Sequence, residues 1–398
     1  MTHEIRIGSR DSELAVTQAN IIIQSMLRAR PELTIRLIRM KTTGDLSPEA
    51  ALEGVQAKRL FTDALEDALR SGEIDLCVHS LKDMAECLPD NLPILAFSQR
   101  EDPRDALIVK RGCDFTDFSA LSESGAVGCS SARRRAQLAV LAPTLSTAPI
   151  RGNVPTRIKK LDHGDYGSIV LAAAGLKRLG LADRISRFFS LSEMIPAAGQ
   201  GVLAVQGRDD WTYPFLDAVD DPTCRREAMA ERAVITALGC GCSSPAAAFA
   251  RSFGTEMEIW AMYAPGSVCG DGSPSGRAVG GGSADGAAGV GSHGDVADDG
   301  GSSGRAVGGG SADGADDGGS SGRAVGDGAD DGSPSGRAVG DGADGIGGRN
   351  PTDGRGRALP GAADMPIRSR ITGACDDWES LAEELAARLK EMAKEYDM

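Results

Sequence analysis

Residues 266–361 set the first limit on what this chain can fold into. That stretch holds 33 of the 52 glycines, one leucine, one isoleucine and no aromatic residue. The hexapeptide SGRAVG begins at 275, 303, 321 and 335, each copy close to SADGA or DGADDG. Ordering a backbone costs about 1–2 kcal/mol per residue, and a segment this poor in apolar side chains has no burial to offset it. Solenoid repeats carry apolar positions that stack, and these do not. The expectation is a disordered, acidic, low-complexity insertion. Any core must come from the other 302 residues.

Those residues alternate between two periodicities. EIRIGS, LTIRLIRM, IDLCVHS, LPILAFS, GAVGCSS, PIRG and GSIVLAAAG read as strands. SELAVTQANIIIQSMLRA, RLFTDALEDALRSG, ARRRAQLAVLA and VPTRIKKLDHG carry apolar residues at helical spacing, and Gly72 should stop the second of these helices. Such alternation predicts α/β layers with mostly parallel sheets, whose ligands sit at the carboxyl ends of the strands. The end of the chain differs. EMEIWAMYA and MPIRSRIT read as strands on either side of the insertion, which then occupies the place of a hairpin turn. The final helix aligns Trp378, Leu381, Leu385, Leu389 and Met392 on one face. A small α+β domain with an expanded hairpin loop is the expected result.

Charge and cysteine usage narrow the function classes. A net charge of -14 argues against nucleic acid as a general partner. No apolar run reaches the roughly 18 residues of a membrane span, and MTHEIRIGSRDSE has no apolar signal core. Nine cysteines without a secretion signal predict reduced thiols in a cytoplasm. No C-x-x-C pair occurs and the four histidines are scattered, so no metal site is expected and most thiols should be small buried hydrophobes. ALGCGCSSPAA, residues 237–247, is the exception: Cys240 and Cys242 stand in a turn almost bare of side chains. Such a thiol is either accidental or needed for chemistry.

Basic residues recur where the strands should end: Arg10, Lys82 beside Asp83, Arg133 and Arg134, Arg151 with Arg157, and Arg178. Arginine's planar fork suits carboxylates and phosphates. Ser130 and Ser131 could add hydroxyls and free amides at a helix N-terminus. Each arginine taken alone could equally be a solvated surface residue. Asp83 is placed either to work on a cation or to cap a helix, and His79 is expected to satisfy hydrogen bonds in the core. No P-loop, nucleophile elbow or dinucleotide fingerprint is present. The residues alone therefore lead to an α/β ligand-binding protein with an anion cleft and a conspicuous thiol.

The same blocks resemble the porphobilinogen deaminase (hydroxymethylbilane synthase) family. IGSRDSELAVTQA, KTTGD, IDLCVHSLKDM, REDPRDALI, GCSSARRRAQL, IRGNVPTRIKKLDHGDY, LAAAGLKRLGL, PAAGQGVLAVQ and ERAVITALGCGCSSP carry the likeness, which spans 4–264 and 366–396. It implies two periplasmic-binding-protein-like domains with a cleft between them and a small α+β third domain. The implied boundaries are 1–100 for the first domain, 101–195 for the second, 196–218 for the return to the first, and 219–265 with 362–398 for the third, interrupted by 266–361. It implies a dipyrromethane cofactor held by a thioether to Cys242, three residues before Pro245; Cys240 and Gly239 depart from the usual glycine and glutamate there. It places Lys82, Asp83, Ser130, Ser131, Arg133 and Arg134 at cofactor-binding positions, and Arg10, Ser12, Arg151, Arg157 and Arg178 at substrate-binding positions. Asp83 matches the catalytic aspartate. Arg59 stands where a glycine is usual, beneath a loop expected to cover the cleft. The implied enzyme is a metal-free cytoplasmic transferase, a monomer acting on porphobilinogen with no nucleic-acid or membrane partner. A two-domain solute-binding protein, and an inactive relative acting through its insertion, are the competing readings.

Overall fold

Ile5–Arg10 (β1) opens the first sheet and feeds Glu13–Ala29 (α1), whose buried Ala19, Ile22, Ile23 and Met26 lie on one face. Ile35–Met40 (β2), Val55–Ser71 (α2), Leu76–Ser80 (β3) and Ile94–Phe97 (β4) follow. Gly72 ends α2 at φ +73°, the left-handed conformation that stops a helix cleanly. The chain then crosses to a second sheet with Asp105–Val109 (β5), Phe118–Glu123 (α3), Val127–Gly128 (β6), Ala132–Leu141 (α4), Thr147–Ala148 (β7), Val154–His163 (α5), Ser168–Ala172 (β8), Ala173–Arg178 (α6) and Arg187–Phe188 (β9). Leu203–Gly207 (β10) returns to the first sheet. Pro222–Leu238 (α7), Ala246–Phe253 (β11), Glu256–Tyr263 (β12), Ile367–Ala374 (β13) and Trp378–Tyr396 (α8) form the rest. This computed structural model describes residues 4–41, 55–239, 245–264 and 365–396, which all fall in one unit of the chain. The insertion, Cys240, Cys242 and the stretch 42–54 lie outside the described residues.

The two large sheets share one plan. The first runs β2-β1-β3-β10-β4 and the second β7-β6-β8-β5-β9. In the first, β10 is antiparallel to both neighbours, and in the second β5 is antiparallel to both of its own. The expected parallel pairing therefore holds for β2-β1-β3 and β7-β6-β8 only. The antiparallel members are the two strands on which the chain changes sheet. An antiparallel strand begins at the edge where its parallel neighbours end: Leu203 pairs with Ser80, and Asp105 with Ala172. The crossover segments 98–104 and 196–202 are thus delivered to the carboxyl edges of both sheets, where ligands bind in such folds.

Local readings fail at two places. PIRG is not a strand; pairing is confined to Thr147–Ala148, and the next residues turn into α5. The apolar run at 168–176 changes state in the middle, from β8 to α6 at Ala173. An apolar run buried on all sides has no periodicity to tell strand from helix. The third sheet is antiparallel in the order β11-β12-β13. Its inner face packs Ala248, Met257, Ile259 and Ile367 against Leu385 and Leu389 of α8 and Val234 of α7, as the stripe on the last helix predicts.

Candidate active site

At the edge of the first sheet, Arg10 is the last residue of β1, and Ser12 caps α1 by accepting from Ala15 N at 3.3 Å. β3 runs out at Ser80, whose hydroxyl is held by Gln18 Nε2 at 2.8 Å. The chain then makes a single 3-10 turn, Leu81–Asp83. Leu81 is fully buried and its N–H donates to Val202 O at 3.0 Å, so the turn is pinned to the returning crossover. Asp83 is exposed and lies inside the turn rather than capping a helix, while Lys82 is half-buried. His79 is a core group: it sits 2.9 Å from the Cys77 thiol, and burial lowers its pKa to about 4. No cluster among the described residues could hold a metal.

At the edge of the second sheet the N-terminus of α4 is built from Ser130, Ser131, Arg133 and Arg134. Ser131 is the N-cap residue. Ser130 donates to Ile150 O at 2.8 Å and accepts from Ile150 N at 2.9 Å, which fixes the loop before α5. Both guanidiniums are buried and turned onto one carboxylate. Arg133 Nη1 meets Asp105 Oδ2 at 2.7 Å, and Arg134 Nε meets Asp105 Oδ1 at 2.9 Å. The two arginines hold Asp105 far below the usual carboxylate range despite its complete burial. Arg151 is exposed, and Arg157 folds back with Nε on Gly152 O at 2.7 Å. Arg178 donates to Gly201 O, and burial lowers its pKa to about 10.

These groups form one electrostatic set. Burial lowers the Lys82 pKa to about 8, with Asp83 and Asp105 opposing that shift and Arg133 and Arg134 adding to it. Burial and the charge of Arg134 depress Arg157, and Asp83 and Arg151 also reach it. Arg10 and Asp83 both act on His79. Lys82 and Asp83 of the first sheet thus couple to Arg133, Arg134 and Arg157 of the second, with Arg10 and Arg151 at the margins of the set. Arg178, at the end of α6, is tied to the crossover beside them through Gly201 O. A surplus of guanidinium groups in a partly dry edge can receive several carboxylates.

Sequence reasoning missed two groups that hold this set together. Asp105 carries a signal, because an acid opening an all-buried strand, DALIV, must be paired. Gln200, fully buried, has none: it donates to Pro103 O at 2.7 Å and to Asp105 Oδ1 at 3.0 Å, and accepts from Lys82 Nζ at 3.4 Å. Arg100 was missed as well. It bonds Glu231 Oε1 at 2.9 Å, and Glu231 also accepts from Gly199 N and Ala250 N. That knot joins α7 and β11 to the crossover. Four of the six described thiols are buried, Cys77, Cys129, Cys224 and Cys375, while Cys87 and Cys113 are exposed.

Residues 5–213 match the family model described as "Porphobilinogen deaminase, dipyromethane cofactor binding domain". The chain is 46% identical over 260 residues to a porphobilinogen deaminase of Acetivibrio thermocellus, covering 65% of this chain and 87% of that one. It is 40% identical over 297 residues to one of Roseiflexus castenholzii, covering 73% and 94%. Among solved structures, the second substrate binding domain of a putative amino acid ABC transporter from Streptococcus pneumoniae aligns at 12% identity and TM-score 0.35, covering 54% of this chain and 90% of that one.

Proposed function

The chain belongs to the porphobilinogen deaminase family, and on that premise we propose that its cleft condenses four porphobilinogen molecules head to tail and releases linear hydroxymethylbilane. This is transferase chemistry of tetrapyrrole synthesis. The observation that carries the reading is the bonded chain from Lys82 through Gln200 and Asp105 to Arg133 and Arg134, which ties the two sheet edges together, with Asp83 and Arg157 in electrostatic reach of it. Each pyrrole of this chemistry bears an acetate and a propionate, and the guanidinium and ammonium donors at the edges are suited to such carboxylates.

A dipyrromethane fits those donors, and when bound it supplies the pyrrole carbon to which the first substrate is joined. Cys242 is the proposed thiol for its attachment. Lys82, Arg133 and Arg134, with the hydroxyls of Ser130 and Ser131, would hold its carboxylates. Arg10, Ser12, Arg151, Arg157 and Arg178 would orient the incoming ring, which removes rotational freedom before reaction. Asp83 is exposed and within electrostatic reach of Arg134 and Arg157. When ammonia leaves porphobilinogen, a cation remains. The Asp83 carboxylate, set near the pyrrole N–H, offsets that charge and assists proton movement.

The same reading divides the chain at 1–100, 101–195, 196–218 and 219–265 with 362–398, and makes it a cytoplasmic monomer with no nucleic-acid or membrane partner. No helix among the described residues is long and apolar enough to cross a membrane. Purified protein treated with Ehrlich's reagent tests the central claim. Colour, together with a dipyrromethane mass adduct and consumption of porphobilinogen, is expected. A colourless, adduct-free protein that still binds an organic anion would be a solute-binding relative instead.

A further inference from the structure

Two buried polar residues lie where the crossovers meet the ligand edges, and neither has an assigned task. Asp105 is the first residue of β5 and Gln200 stands three residues before β10. Because both strands are antiparallel to their neighbours, each residue arrives at the carboxyl edge of a different sheet. Both are fully buried. Asp105 uses Oδ2 for Arg133 and Oδ1 for Arg134 and Gln200. Gln200 uses its amide nitrogen for Asp105 and its amide oxygen for Lys82.

We propose that Asp105 is the positioning residue of the site, and that Gln200 relays its orientation to Lys82, so that the cations of both sheets are held in one register. The chemistry of each side chain suits the task. A carboxylate has lone pairs enough for two guanidiniums and an amide at once. An amide is neutral and two-ended, so it can face an ammonium with its oxygen and a carboxylate with its nitrogen. A glutamate at 200 would set two carboxylates side by side, and an apolar residue would remove an acceptor from the half-buried Lys82 ammonium and leave Asp105 Oδ1 to Arg134 alone. The charged groups acting on Lys82 are Asp83 on its own turn, Asp105 on β5, and Arg133 and Arg134 on α4. With two cations against two anions around it, the lysine's proton affinity depends on how these groups are aimed.

This inference rests on the proposed function only for its meaning, since its test does not require activity. Lys82 in the purified full chain is labelled with an amine-acylating reagent across pH 6–11 and read by peptide mass spectrometry. In the unsubstituted chain half-maximal labelling is expected near pH 8, where burial sets the Lys82 pKa at about 8. Gln200→Leu and Asp105→Asn should each move the midpoint down, because the first removes an acceptor and the second an anion. If Gln200 is the relay, the two together should move it by less than the sum of the single shifts. The alkaline limb of kcat/KM should move with the labelling midpoint. Unchanged midpoints in soluble variants of unaltered melting temperature would overturn the proposal, and strictly additive shifts would overturn the relay. Should Asp105→Asn fail to fold, Gln200→Leu alone decides, since an unmoved Lys82 midpoint there removes the relay. Failure of the Ehrlich test with a shifted midpoint would instead sink the functional reading and leave the network standing.

Discussion

At the scale of single residues, the chemistry is divided between groups that must be charged and one that must not be. Asp83→Asn keeps the shape of the turn and removes the charge, so binding should persist while turnover falls by about 2.7–4 kcal/mol in transition-state stabilisation; single-turnover kinetics beside substrate binding reads the split. Cys242→Ser should yield a folded chain without the dipyrromethane mass, whereas Cys240→Ser should retain it. An adduct lost only in the Cys240 variant would reverse the assignment. His79 is the group that must stay neutral. Its folded pKa of about 4 lies below the ordinary value of 6.5 because burial disfavours the imidazolium. The unfolded chain therefore binds the proton more readily, and stability present above pH 6.5 is lost as pH falls toward 4, by about 3 kcal/mol in all. Asp105 works at lower pH: its depressed carboxylate contributes stability above the unfolded value of about 3.9, lost only in stronger acid. Denaturant titrations at pH 7, 5.5 and 4.5 should show the first loss, and His79→Gln should flatten it.

At the scale of elements, the two crossovers matter most. They are laced together by Glu101 N on Gly201 O at 3.0 Å and Ser98 N on Leu203 O at 2.9 Å. Lys177 and Arg178 of α6 tie down one crossover each, through Asp102 at 3.2 Å and through Gly201 O. Gly201 has φ +91°, and a Cβ there would lie 2.2 Å from Glu101 O. Backbone cannot yield as a side-chain tip can. Gly201→Ala should therefore destabilise the chain by about 2 kcal/mol or more, since steric overlap adds to left-handed strain. It should also loosen Arg178 and raise KM. A melting curve and a KM close to those of the parent would show the crossover to be more pliant than its packing indicates.

At the scale of the whole molecule, the insertion falls in the chain between two strands that pair with each other. Tyr263, near the last described residue before it, pairs with Ile367 just after it. Strand ends already side by side can be joined by a short turn. Replacing 266–361 with a Gly-Asn turn should preserve fold and activity. The segment carries 14 Asp against 7 Arg, a charge of -7 out of -14, so the deletion should mainly change solubility and behaviour in salt. A lower KM for the deleted form, greatest at low ionic strength, would show instead that the acidic segment competes for the arginines. Loss of soluble protein would make it structural.

Sequence alone determined the elements whose burial is one-sided. α1 and α8 wrote their faces at helical spacing, and Gly72 marked a helix end because only glycine takes that conformation freely. It also located three candidate site cations, since Arg10, Lys82 and Arg133 stand at the end of, or just after, strands that periodicity can find. What it could not decide was whatever depends on which strand lies beside which. The apolar run through Ala173 has no polar side to reveal its period, so only its place at the sheet edge turns strand into helix. Asp105 and Gln200 lie 95 residues apart, and Lys82 and Gln200 lie 118 apart. No local pattern records a bond between side chains so distant in the chain. The reversed direction of β5 and β10 brings them together, and that direction is a property of the assembled sheets.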